Sequence, residues 1–248
     1  MWSGMSDDRT LLLRLSAPLQ SWGGDDARMK VRKTEAMPTK SGVLGMVAAA
    51  MGIGREPGSK GPDGHGLKDL ATLRFGVRAD QPGVLTRDYQ TAKKAVVRDY
   101  GTRPRSGEDA ALITDRWYLA DAVFLVGLNG PGSLIGDMVD ALNHPVWALY
   151  YGRKSCPVTG TGDDGLIVGV VSSGLREALE DTPCLAKDWW LKGRTEVPAE
   201  VVMDSEDGSS VVRDLPLSFS SRYRRYGRRV VDRFTVVTRK KETNNEQK

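Results

Sequence analysis

Lysine and arginine are the side chains of this sequence best placed to do chemistry, and that chemistry is the neutralisation of phosphate. The 248 residues carry 36 basic and 32 acidic side chains, a net charge of only +4. The total conceals three basic islands. Residues 28–40 hold five basic residues (Arg28, Lys30, Arg32, Lys33 and Lys40) against one acidic; residues 87–105 hold six against two; residues 219–241 hold nine against one. The islands sum to +16 and everything else to −12. Clustered cations of this kind are the footprint of a polyanion partner, with solvated surface charge as the alternative for any single island. In the second island Arg87, Lys93, Lys94 and Arg98 can neutralise phosphates while Tyr89 and Tyr100 stack on bases, unless the segment is a charged surface loop with no partner. The third contains the run Arg222-Tyr223-Arg224-Arg225-Tyr226-Gly227-Arg228-Arg229. Extended backbone before it would turn Arg222 and Arg224 to one face. Charge guarding an edge strand is the competing reading.

Other chemistries find no support in the sequence. Cys156 and Cys184 are isolated, and the histidines are His65 and His144 alone, so the short-spaced ligand set of a zinc site is missing. No G-x-x-x-x-G-K-[ST] occurs, and Gly52 and Gly54 follow an expected helix rather than opening one. No G-x-S-x-G elbow is present. The expectation is no metal and no cofactor, with neither nucleotide hydrolysis nor a Ser/His/Asp triad. The longest apolar run, residues 43–51, is broken by Gly45 and is too short to span a bilayer, and no secretory leader opens the sequence. A cytoplasmic protein without a membrane partner is expected.

The elements that must position these cations read as an α+β protein. Leu11 to Leu15 is a buried first strand. Ser41 caps a helix ending near Met51, with Gly52 as its stop. Leu73, Phe75 and Val77 alternate with Arg74 and Arg78 as a half-buried strand. Ala122 to Leu128 is a third strand whose aliphatic residues imply cover on both faces. Leu134, Met138 and Leu142 stripe a second helix, and Val146 to Tyr151 is a fourth strand. This order is that of a ferredoxin-like (RRM-like) domain, residues 9–152, with an insertion at about 80–117. A smaller, mainly β part spans residues 153–239. It contains a strand near 166–171, a short helix at 175–180, a hairpin joining 197–203 to 211–212 around Asp207-Gly208, and a last strand at 230–238. A disordered polar tail, 240–248, follows. Trp22 and Trp189 are expected in the core; Trp190 is either core or an interface anchor.

Several stretches resemble one family in order along residues 11–157. They are Leu11 to Gly23 with its Gln20-Ser21-Trp22-Gly23 turn, Pro38-Thr39-Lys40-Ser41-Gly42-Val43-Leu44-Gly45, Arg87-Asp88-Tyr89-Gln90-Thr91, and Gly152-Arg153-Lys154-Ser155-Cys156-Pro157. Residues 214–222 add a weaker match. The sequence resembles the CasD family, the type I-E members of the CRISPR-associated RAMP proteins. The resemblance implies a non-catalytic subunit of the Cascade complex that binds the 5′ handle of CRISPR RNA, caps the backbone filament of CasC subunits and supports docking of the large subunit CasA. It places an arched β-hairpin thumb at the insertion. It also implies that Arg28, Lys30, Arg32, Lys33, Lys40, Ser41, Arg153 and Lys154 grip handle phosphates, Ser41 from a helix N-terminus. Arg87, Tyr89, Lys93, Lys94 and Arg98 would act on the thumb, with Arg222 and Arg224 as further RNA contacts. Relatives of another subtype cut RNA with a Tyr/Lys/His set, whereas here Gln90 follows Asp88-Tyr89. A metal-independent endoribonuclease and a protein-only assembly factor remain the alternatives.

Overall fold

The computed structural model describes residues 7–23, 31–92, 112–160 and 164–240. It is a mixed α/β structure built on a seven-stranded antiparallel sheet. Strand β1 (Asp8–Ser16) pairs with β7 (Val123–Pro131) on one side and β8 (Ile167–Val171) on the other. Beyond β7 lie β4 (Arg74–Gln81), β9 (Glu196–Asp204), β11 (Arg225–Arg239) and the edge strand β10 (Ser210–Ser218). The sheet runs through both sequence halves without a break. A second sheet contains β2 (Leu19–Gln20), β6 (Leu112–Ala120) and β3 (Val31–Arg32), with β5 (Val84–Ala92) paired to β6 along its whole length.

Both faces of the large sheet are covered, as the aliphatic third strand implied. Leu11, Leu13 and Leu15 of β1 and Phe124, Val126 and Leu128 of β7 pack under α1 (Lys40–Ala50) and α3 (Gly132–Asn143). Their neighbours Leu12 and Leu125 face α4 (Leu175–Asp181) on the other side. Alternation along a strand requires this division. Gly52 does stop α1, at φ +67°, a conformation that costs glycine little.

Several expectations are corrected. The cap of α1 is Thr39, whose hydroxyl accepts from Gly42 N; Ser41 sits one turn position inside. Residues 146–151 form no strand. Val146 N and Trp147 N instead donate to Ala50 and Ala49, satisfying the open carbonyls at the end of α1. The strand beside β1 is β8. Arg78 is fully buried rather than solvent-facing, because α4 and the chain after it cover that face. Its guanidinium binds Asp80 at 2.6 and 3.0 Å and donates to the Leu179, Thr182 and Pro183 carbonyls. Strands β9 and β10 are not hairpin neighbours, since β11 lies between them. Helix α2 (Leu67–Thr72) interrupts what read as loop and strand. Trp22 is in the core, but Trp189, on the single turn α5 (Asp188–Leu191), is 61% exposed. Trp190 is partly buried under the Arg194 guanidinium. Among the described residues no helix is long and apolar enough to cross a membrane.

Candidate nucleic-acid interface

The site forms where β3 meets β6. These strands are parallel, with Val31 opposite Asp115 and Arg32 opposite Arg116. Two arginines therefore stand side by side on one face, an arrangement that like-charge repulsion disfavours. Asp88 of β5 is the next residue in the row, opposite Arg116, but its carboxylate accepts from Gln90 Nε2 at 2.5 Å. Among the described residues Arg32 and Arg116 have no ion-pair partner, and the Nε atoms of both are buried without a hydrogen bond. Burial first, then the charges of Arg116 and Arg153, push Arg32 below the usual arginine range.

Arg153 completes the cluster and also holds it together. It stacks over the Tyr118 ring at 4.9 Å. Its two terminal nitrogens donate to the carbonyls of Trp117 (3.2 Å), Arg32 (3.0 Å) and Lys33 (2.9 Å), tying β3 to β6. The turn that presents it requires glycine: Gly152 has φ +80°, and a Cβ there would lie 1.7 Å from the Ser21 carbonyl oxygen. The floor is rigid. Trp22 is fully buried, its indole donates to Gln20 Oε1 at 3.1 Å, and it packs on Tyr151. Burial pushes the Tyr151 hydroxyl up to about 12. Lys33 and Lys154 are exposed beside the cluster.

The expected site residues are only partly gathered here. Arg32, Lys33, Arg153 and Lys154 come together. Arg116, which the sequence reading missed, stands beside Arg32 on β6. Arg87 and Tyr89 are on the opposite face of the hairpin, Arg87 paired to Asp115 at 2.9 Å and Tyr89 56% exposed. Lys40 is corrected outright. It is 4% exposed, and its Nζ donates to Leu73 O at 2.6 Å and Asp204 Oδ2 at 2.9 Å. The helix N-terminus is also taken, because Lys40 N donates to Asp214 Oδ2 at 2.8 Å and Ser41 is buried. Arg229 closes this network on Asp214 (2.6 Å) and Asp204 (2.8 Å), over the Phe75 ring. Burial pulls Arg229 down, but the two carboxylates outweigh it and hold the group above its usual value. Arg222 and Arg224 are exposed on the loop between β10 and β11. Arg28, Lys30, Lys93, Lys94 and Arg98 lie outside the described residues.

The family model described as CRISPR-associated protein (Cas_Cas5) matches residues 10–232. The CRISPR system Cascade subunit CasD of Escherichia coli (strain K12) is 34% identical over 160 residues, covering 60% of this chain and 67% of that protein. A chain of a CRISPR RNA-guided surveillance complex superposes with a TM-score of 0.70 at 31% identity, covering 93% of this chain and 91% of that one. A structure described as a Cas protein gives 0.66 at 36% identity, covering 92% and 94%. With nine-tenths of its length matched by the family model, the chain belongs to the Cas5/CasD family of CRISPR-associated proteins.

Proposed function

We propose that this protein is the non-catalytic RNA-binding subunit of a type I-E Cascade complex. In this reading it holds the 5′ handle of CRISPR RNA, caps the CasC filament and supports docking of CasA. One observation carries it: Arg32 and Arg116 stand side by side, partly buried, with unbonded Nε atoms and no ion-pair partner among the described residues. Such a cluster is complete only with an anion bound, and a phosphodiester supplies the acceptor geometry that arginine forks match. Exposed bases are then available for stacking and edge contacts, the usual mode of single-strand RNA recognition.

The strand order β8-β1-β7-β4, with α1 and α3 as the crossovers, supports reading the core as ferredoxin-like. The β5–β6 hairpin occupies the place of the thumb, and its exposed Val84, Leu85 and Ile113 suit contact with a neighbouring subunit. Gln90 supports binding over cleavage, because its amide carries no proton that titrates near neutral pH.

The test is the double variant Arg32→Gln with Arg116→Gln, measured by fluorescence anisotropy on labelled handle RNA. Affinity is expected to fall about tenfold or more, and the salt slope to shrink by about 1.4 for two lost contacts on a single strand. Unchanged affinity and slope would overturn the assignment.

A further inference from the structure

The third basic island divides in two. Arg229, Arg233 and Arg239 lie within β11 and are ion-paired, to Asp204 and Asp214, Glu200 and Glu196 in turn. Arg222, Arg224, Arg225 and Arg228, on the loop and the first residues of β11, are exposed and have no ion-pair partner among the described residues. Tyr223 stands among them, 71% exposed. Beside this loop lies the long glycine- and proline-rich segment 54–66, to which the handle reading gives no task. Ser220 Oγ donates to Glu56 Oε1 at 3.5 Å, joining the two. A cavity of about 330 Å³ between the 54–66 segment and the end of β10, just before the loop, is lined by Leu217 and Ser218 on one side and by Arg55, Lys60 and Lys68 on the other. Those three cations are exposed. Two acids line the same cavity and both are engaged, Glu56 by Ser220 and Asp69 by Gly66 N.

We propose that the 222–228 and 55–68 loops form a second nucleic-acid site, one that holds phosphate backbone without reading bases. The contrast with the Arg32–Arg116–Arg153 cluster carries the argument. There Arg153 is held by three carbonyls over the Tyr118 ring, with Arg32 and Arg116 partly buried beside it, a geometry able to discriminate. Here the charges end exposed side chains that no ion pair holds in place among the described residues. Attraction of that kind is electrostatic, indifferent to sequence and steeply dependent on salt. Tyr223 fits the same role, since every base offers a face for stacking. The ligand is the phosphodiester chain itself, whether RNA outside the handle or DNA.

The full-length protein is titrated by anisotropy with scrambled single-stranded RNA, duplex DNA of equal length, handle RNA and labelled poly-glutamate. Replacing Arg222, Arg224, Arg225 and Arg228 by alanine is expected to cut affinity for the two non-handle nucleic acids about tenfold or more. Their salt slopes should shrink by about 3. A drop for both marks any backbone as ligand, and a drop for one names that source. The four-lysine version should stay within about threefold of wild type, because point charges suffice. The Arg32→Gln, Arg116→Gln protein should lose its preference for handle RNA, binding it no better than the scrambled probe, and keep the scrambled probe, so this proposal and the handle reading fail separately. Unchanged binding of both non-handle nucleic acids by the alanine version overturns the proposal. So does a loss confined to poly-glutamate, which would give the loop to an acidic protein surface.

Discussion

Two arginine clusters in this molecule are opposites. Arg229 has two carboxylates within 2.8 Å and stitches β9, β10, β11 and the start of α1 into one network with Lys40. Among the described residues Arg32 and Arg116 have none, and they lie next to each other on paired strands. The first set is largely removed from water and the second partly so, and an unbalanced charge there is costly. The first is balanced from within the chain and serves stability. The second has no balancing carboxylate within ion-pair distance among the described residues, and in the proposed reading an anion from outside supplies it. Composition cannot separate them, because Lys40 and Arg229 lie in basic islands just as Arg32 does, while Arg116 lies in none.

The largest effect expected from breaking this contrast is at Arg229. Arg229→Met leaves Asp204 and Asp214 buried with too little positive charge, and should destabilise the protein by about 3–5 kcal/mol in denaturant unfolding. Arg229→Met with Asp214→Asn should recover part of that, because one uncompensated charge is removed with its partner. If Arg229→Met instead unfolds like wild type and weakens RNA binding, the division between structural and binding arginines is wrong.

An opposite and smaller effect is expected at the unbalanced cluster. Arg116→Gln relieves repulsion with Arg32 and should leave stability unchanged or raise it by up to about 1 kcal/mol. Phosphate or sulfate added to the wild type should raise its melting temperature by mass action on the folded state, with a reduced rise in Arg116→Gln. A melting temperature in wild type that does not respond to either anion would count against an anion site here.

The sequence shows why only half of this contrast was legible. The islands, the buried Leu11–Leu15 strand and the Gly52 stop are local features, and local periodicity and turn chemistry carry them. Arg116 was missed because its meaning comes from a two-residue parallel pairing with β3, which no periodicity announces. Lys40 was misread for the same reason in reverse. Its partner Asp204 is 164 residues away, so an anchored lysine looked like a free one. The segment 146–151 had the apolar content of a strand, but its backbone groups are used to close α1. Arg78 read as a surface residue because α4, which buries it, comes a hundred residues later. Tertiary pairing, not propensity, decides each of these.

The smallest effect sharpens the contrast from the exposed side. Arg87 is paired with Asp115 at 2.9 Å, yet its side chain is 52% exposed and it lies on the face of the hairpin away from Arg116. A pair in water gains little, because solvent screens it and two long side chains must be ordered. Arg87→Ala should therefore shift unfolding by less than about 0.5 kcal/mol. Its effect on handle affinity for the isolated chain should be far below that of Arg32→Gln with Arg116→Gln. Chemical denaturation and handle-RNA anisotropy on the same preparation check both at once. If Arg87→Ala matches the double variant in lost affinity, the RNA runs over the other face of the hairpin, and the β3–β6 cluster is not its principal hold.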